Sequence, residues 1–159
     1  MGFKAGLGYD AHTLDAGAAL VLGGVRVPYA RGLVGHSDAD VLTHAIIDSL
    51  LGAAGLGDIG RRFPDTDESY RGISSLILLK KTAALIRRAG YRIGNIDAVI
   101  IAERPKLAPF IPEMEANVAK ALKIKKRRVN VKATTEEGLG FTGDGSGMSA
   151  KAVCVIKKA

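Results

Sequence analysis

The chain has 159 residues, with 23 Lys and Arg against 16 Asp and Glu for a formal net charge of +7, one Cys, no Trp, four Phe and four Tyr. That length suits a single domain that buries roughly two-thirds of its unfolded surface without crosslinks. A lone cysteine excludes an internal disulfide and fits a reducing, cytoplasmic setting, no apolar run approaches the roughly 20 residues that cross a bilayer, and the few aromatics leave no stacking platform for single-stranded nucleic acid.

Phe3, Ala5, Leu7 and Tyr9 alternate with Lys4, Gly6 and Gly8 and then with Asp10 and His12, which predicts a strand whose polar face carries Asp10 and His12 together. After a turn-rich segment, Ser37-Asp38-Ala39-Asp40 resembles a capping box and opens an apolar helix to about Ala54, ahead of Gly55 and Gly57. Asp40, His44 and Asp48 fall on one stripe of that helix. A second helix is expected from about Ser69 to Ala89, stopping at Gly90, with Leu78, Leu79, Thr82, Leu85 and Ile86 facing inward. Ile96–Ala102 reads as a buried strand, and Pro112 as the first residue of a third helix that turns Met114, Val118 and Leu122 inward. Two further alternations, from Val129 to Thr134 and from Ala150 to Lys157, read as strands, the second holding Cys154 as a buried thiol. The order β, α, α, β, α, β, β, with no linker or repeat, predicts a single α/β domain over residues 1–159, an α+β sandwich with helices packed on one face of a mixed sheet.

All three histidines, His12, His36 and His44, lie in the first third of the chain. Asp10 and His12 from a strand face plus His44 from a helix would supply one carboxylate and two imidazoles, a donor set that suits a zinc ion with an open fourth position. Residues alone leave this reading level with ordinary hydrogen-bonded roles. Asp40 and Asp48, each four residues from His44, are candidates to fix its tautomer, although Asp48 reads better as part of a solvated acidic face. His36 and Ser37 precede the helix, where an anion is favoured and where Ser37 would also serve as a plain cap. The loop from Thr134 through Thr135, Glu136 and Glu137 into the glycines from Gly138 to Gly147 gathers hydroxyls, carboxylates and backbone amides, a setting for phosphate and a hard cation such as magnesium. Within it Gly138 to Gly143 spells a GxGxxG, rejected as a dinucleotide fingerprint because a strand rather than a crossover helix follows. The basic run Lys123–Arg128 reads as a solvated helix end rather than a nucleic-acid contact.

Four blocks, Gly8-Tyr9-Asp10-Ala11-His12, Gly35-His36-Ser37-Asp38-Ala39-Asp40, Leu56 through Asp67, and Lys132-Ala133-Thr134-Thr135 through Gly143, closely resemble in order and spacing the 2-C-methyl-D-erythritol 2,4-cyclodiphosphate synthases of the non-mevalonate isoprenoid pathway. The resemblance implies a homotrimer with active sites between subunits and a small-molecule, nucleotide-linked substrate, with neither nucleic acid nor membrane as partner. It implies zinc on Asp10, His12 and His44, and a second divalent ion, magnesium or manganese, on Glu137. His36 and Thr135 would orient the phosphates and stabilise the transition state. Ser37 with Phe63, Pro64, Asp65, Thr66 and Asp67 would wall the methylerythritol, and Asp58, Ile59 and Gly60 would meet the ribose side. The cytidine pocket would come from Ala102, Pro105, Lys106, Leu107 and Ala108 together with Ala133 and Thr134, with Phe141 also near the ligand. Asp144 and Ser146 depart from the family pattern of Arg and Glu and imply lost or altered binding of an anionic ligand on the trimer axis. A zinc-dependent phosphoester hydrolase is the alternative, since it also uses an open three-ligand zinc.

Overall fold

In a computed structural model describing residues 2–159, the alternation that begins at Phe3 runs on to Asp15 as one long strand, β1. Beyond it lie a small hairpin, β2 (Leu20–Leu22) and β3 (Val25–Val27), and a short strand β4 (Gly32–Leu33). The hairpin turns at Gly23 and Gly24, both at positive φ, as a two-residue hairpin turn requires. Helix α1 (Val41–Ala54) and the single turn α2 (Ile59–Arg62) precede α3 (Ser75–Arg88), β5 (Tyr91–Ile101), α4 (Ile111–Leu122) and β6 (Val129–Thr134). A second single turn, α5 (Gly140–Gly143), leads into the last strand, β7 (Gly147–Lys158).

The main sheet has the order β4-β1-β7-β5-β6, antiparallel except for the parallel pair β5 and β6, so it is mixed, as expected. Helices α1, α3 and α4 cover one face, and a single apolar core lies between them and the sheet. Leu42, Ile46 and Leu50 of α1, Leu79 and Ile86 of α3 and Met114 of α4 meet Ile96, Ile100, Ala152 and Ile156 of the strands there. Cys154 is buried in the same layer, and burial pushes its thiol up.

The face of β1 that meets the helices is the glycine face. A Cβ on Gly6 would stand 2.0 Å from the Ser49 carbonyl oxygen, and one on Gly8 would stand 1.9 Å from that of Ala45, so α1 rests directly on the strand backbone. Phe3 and Leu7, 74% and 70% exposed, point away from the helices with Tyr9. The contacts also set a register. Two strand residues advance about 6.6 Å and four helical residues about 6 Å, so the step from Gly6 beside Ser49 to Gly8 beside Ala45 carries Asp10 to the turn of His44.

Several expected boundaries move. The cap of α1 is Asp40, not Ser37: the Asp40 carboxylate accepts from the Thr43 N–H at 3.0 Å. Helix α3 begins at Ser75 rather than near Ser69, because Asp67 caps a separate short turn at Glu68–Tyr70. Pro112 is the second residue of α4, not the first. The basic run forms the left-handed end of α4 at Lys123 and a short turn at Lys126–Arg128, with its charged side chains exposed. The glycine loop enters β7 through the one-turn α5, without the long helix of a dinucleotide crossover. Among the described residues no helix is long and apolar enough to cross a membrane.

Candidate metal centre

Asp10 and His12 project from the covered face of β1, and His44 comes down from α1 to meet them. Asp10 Oδ2 lies 2.9 Å from His12 Nε2 and 2.9 Å from His44 Nδ1, and the two nitrogens are 3.1 Å apart. Among the described residues these three form the one group of at least three His, Cys, Asp or Glu side chains that brings its ligand atoms together. His12 Nδ1 is 2.9 Å from the Val34 carbonyl, which only accepts, so Nδ1 holds the ring hydrogen and Nε2 turns a lone pair to the centre. An oxygen, one such lone pair and a second imidazole nitrogen at this spacing repel one another unless a cation sits between them. The donor set and its triangle of about 3 Å sides fit a small divalent metal, with room on the cavity side for a further ligand.

The charges of the triad respond in the same way. Burial works to raise the Asp10 carboxyl, but His12 and His44, whenever their rings turn a proton or positive charge towards it, outweigh burial and hold the group down to about 2. Burial works against charge on His12, yet the Asp10 contact and the Val34 carbonyl raise it on balance.

Beyond the triad, Asp40 does not reach the His44 ring. Its oxygens accept from the backbone N–H groups of Gly23 at 2.9 Å, Gly24 at 2.8 Å and Thr43, and from the Thr43 hydroxyl at 2.8 Å, so it pins the β2–β3 hairpin to the start of α1. Burial pushes this carboxyl up. Asp48 is neither a partner of His44 nor a solvated face; it accepts from the Ile59 N–H at 2.7 Å and fixes α2 beside the site. The groups that do reach His44 Nε2 are Ser75 Oγ at 2.8 Å and Ser37 Oγ at 3.0 Å. Ser75 in turn is held by Asp38, through its N–H at 2.9 Å and through its hydroxyl. The sequence reading passed over Ser75 because it placed that residue inside a helix starting at Ser69.

The triad opens onto a cavity of about 330 Å³ that His36, Ser37, Ile59, Gly60, Phe63 and Asp65 also line. His36 Nε2 is buried there without a partner among the described residues. Tyr70, not anticipated, closes the same cavity and meets Phe63 edge to face at 5.6 Å. A second cavity, about 340 Å³, lies among Ala102, Pro105, Lys106, Leu107 and Ala108 on one side and Ala133, Thr134 and Thr135 on the other, with Glu103 also in its wall. Thr135 is therefore in a different cavity from His36.

Six further residues from the sequence reading line neither cavity. Asp58 caps α2 by accepting from the Arg61 N–H, and Asp67 caps the Glu68 turn. Pro64 and Thr66 lie in the exposed turn between them. Glu137 is exposed at positive φ and stands outside the triad, and Phe141 borders a third cleft beside His12. Asp144 accepts from the Ser146 N–H at 2.8 Å, on a cleft that also holds Arg31 and Arg104.

The two main cavities stand in a fixed relation. Asp10 pairs across from Ala150, Ala150 from Ile100, and Ile100 from Ala133, so the four lie in one transverse row. Asp10 and Ala133 are thus three strand spacings apart, about 14 Å.

Comparison with known proteins gives the arrangement a context. The model of the YgbB family matches residues 3–157. The 2-C-methyl-D-erythritol 2,4-cyclodiphosphate synthase of Clostridium perfringens is 59% identical over 155 residues, covering 98% of this chain and 99% of that protein. The protein of the same name from Clostridium botulinum strain Alaska E43 is 60% identical over 156 residues, with the same coverage. Among solved structures, IspF of Plasmodium falciparum in its CDP complex superposes with a TM-score of 0.86 at 34% identity, covering 99% of this chain and 97% of that one. The bifunctional IspDF of Campylobacter jejuni superposes with a TM-score of 0.96 at 41% identity, covering 99% of this chain and 43% of that longer one. With a family match along nearly its whole length and such relatives, the chain belongs to the YgbB family, that of the 2-C-methyl-D-erythritol 2,4-cyclodiphosphate synthases.

Proposed function

We infer that the chain converts 4-diphosphocytidyl-2-C-methyl-D-erythritol 2-phosphate into 2-C-methyl-D-erythritol 2,4-cyclodiphosphate and CMP, in isoprenoid precursor synthesis. The observation that carries the reading is the triangle of Asp10, His12 and His44 at the floor of a cavity walled by His36, Ser37 and Phe63. An oxygen of the substrate's own 2-phosphate attacks the β-phosphorus, the bond from that phosphorus to the bridging oxygen breaks, and CMP leaves with that oxygen. The protein supplies no nucleophile, so its task is to hold attacking and leaving groups in line and to balance charge.

Asp10, His12 and His44 would hold zinc, and Glu137 a second divalent ion, magnesium or manganese. Bound there, such ions supply Lewis-acid polarisation of the phosphate oxygens. His36, which lines the cavity and has a buried Nε2 without a partner among the described residues, would turn that nitrogen to a phosphate oxygen. Ser37, Phe63 and Asp65 enclose the methylerythritol end, with Pro64, Thr66 and Asp67 shaping the turn, while Ile59 and Gly60 meet the ribose side, where Asp58 fixes α2. Lys106 and the cleft formed by Ala102, Pro105, Leu107, Ala108, Ala133 and Thr134 take the cytidine, with Thr135 at the phosphate end. The CDP held by the Plasmodium falciparum relative supports a nucleotide pocket.

The reading includes a homotrimer. Asp10 and Ala133 of one chain stand about 14 Å apart along the row of strands, which separates the triad from that chain's own nucleotide cleft. A neighbour's cleft brings the two halves together, and the exposed Phe3, Leu7 and Val153 on the open sheet face offer the apolar surface for such packing. The free, buried Cys154 thiol fits a cytoplasmic setting. The relatives do not favour the phosphoester hydrolase.

The test is turnover of the named substrate, followed by phosphorus NMR with zinc and magnesium supplied. Stoichiometric CMP and a cyclic diphosphate are expected from the wild type, with the rate falling at least about 1,000-fold in His44→Ala. A folded, zinc-loaded wild type that releases no CMP, or that yields only linear products, would overturn the reading.

A further inference from the structure

His44 is the triad member that comes from a helix, and either of its ring nitrogens could in principle face a metal. Its Nδ1 stands in the triangle, while its Nε2 lies between two hydroxyls, Ser75 at 2.8 Å and Ser37 at 3.0 Å. One N–H serves one acceptor well. The surroundings of Ser75 decide which acceptor it is. The Asp38 carboxylate takes the backbone N–H of Ser75 on one oxygen and its hydroxyl hydrogen on the other. An ionised carboxylate only accepts, so both hydrogens of Ser75 are committed to Asp38 and the lone pairs of its Oγ are what remain for His44. Ser75 is fully buried, so no water competes for that role from bulk solvent.

We propose that Ser75, oriented by Asp38, is a positioning residue: by accepting from His44 Nε2 it fixes the tautomer in which Nδ1 is the metal-binding atom, and it leaves the Ser37 hydroxyl free to donate to substrate. Asp38 reaches this place from outside α3, and a left-handed turn at Ala39 (φ 55) separates it from Asp40, so two neighbouring carboxylates serve different elements. Asp38 does two jobs with one carboxylate, capping the first turn of α3 and aligning the serine. Metal-bound imidazoles commonly donate their outer N–H to a carboxylate or carbonyl, and the loss of such a partner typically weakens metal binding 10–100-fold. Here the carboxylate acts through a hydroxyl.

The inference rests on the metal reading above, and the experiment separates the two. Zinc affinity is measured by competition with a chromophoric chelator for the wild type, Ser75→Ala, Asp38→Asn and Ser37→Ala. Ser75→Ala keeps the backbone N–H that Asp38 caps, so α3 retains its start. Ser75→Ala should bind zinc about 10–100-fold more weakly, Asp38→Asn should change in the same direction, and Ser37→Ala should stay within about twofold. Unchanged affinity in Ser75→Ala, or a larger loss in Ser37→Ala, overturns the proposal. A second readout does not need the metal: nitrogen-15 shifts of His44 report its tautomer in the metal-free protein. If the wild type takes up no zinc, the functional reading fails by itself. The positioning role is then upheld if Ser75→Ala redistributes a wild-type Nε2–H tautomer, and overturned if the populations are equal.

Discussion

On the side of the sheet that faces α1, β1 presents Gly6, Gly8, Asp10 and His12; on the other it presents Phe3, Leu7 and Tyr9. The heavier apolar side chains are on the face without helices, and the packed face has almost no side chain at its start. Close approach, not apolar bulk, decides which side of this strand is inside. Backbone-to-backbone packing of α1 on β1 excludes water as well as interdigitated side chains do, and it brings His44 within bonding reach of the strand. The open face then carries apolar surface that no helix of this chain covers, and burying each large apolar residue there would contribute about 1.5–3 kcal/mol.

The contrast can be broken most severely at Gly8. Gly8→Val places its Cβ about where the Ala45 carbonyl oxygen now sits, and neither group can give way without moving a helix. The expected loss is about 3 kcal/mol or more in urea unfolding, together with the triad geometry. Next is Asp40→Asn, also on the covered side. The four donors that converge on this carboxylate would meet one amide oxygen and one NH2 group, so about 2–3 kcal/mol should be lost, with early proteolysis of the β2–β3 hairpin as a second readout. On the open face, Leu7→Glu should leave the circular dichroism and the stability of the single chain within about 0.5 kcal/mol, because Leu7 packs on no helix. It should shift sedimentation from trimer to monomer and remove turnover; a trimer that persists in Leu7→Glu would mean that the open face is not where copies meet.

The smallest effect is expected at Asp97 on the same face. Hydrogen bonds from Lys132, then Asn130, lower its carboxyl below the ordinary 3.8. A lowered carboxyl contributes stability that is present above pH 3.8 and is lost as the pH falls through its folded value. Because the ion pair is largely exposed, Asp97→Ala should cost about 0.5 kcal/mol or less at pH 7 and progressively less as the pH falls below 3.8, read from the pH dependence of the urea midpoint.

Much of the architecture could be read from the chain because it rests on local signals. Alternation placed β1, β6 and β7, Gly55 and Gly90 marked helix ends, and the spacing of Asp10 and His12 put both on one strand face. What could not be read rests on groups that meet across the sequence. Glycine has no side chain to mark its face, so Gly6 and Gly8 gave no sign that they lie inside. The start of α3 was misplaced because its capping carboxylate, Asp38, stands 37 positions earlier. The partner of His44 was sought on its own helix, at Asp40 and Asp48, whereas it comes from the first residue of another, Ser75. The resemblance named part of the lining of each cavity but grouped Thr135 with His36, and the strand row that holds Asp10 and Ala133 about 14 Å apart follows from pairing register alone.

The glycines of β1 also bear on the size of the triangle formed by Asp10, His12 and His44. The separation of α1 from β1 sets how far His44 Nδ1 stands from Asp10 and His12, and that separation is the thickness of two backbones with nothing between them. A methyl group on either glycine would hold the helix farther off and open the triangle beyond its present sides of about 3 Å. The spacing of the three ligand atoms is thus set a helical turn or two away from them, by two hydrogens standing where side chains would be.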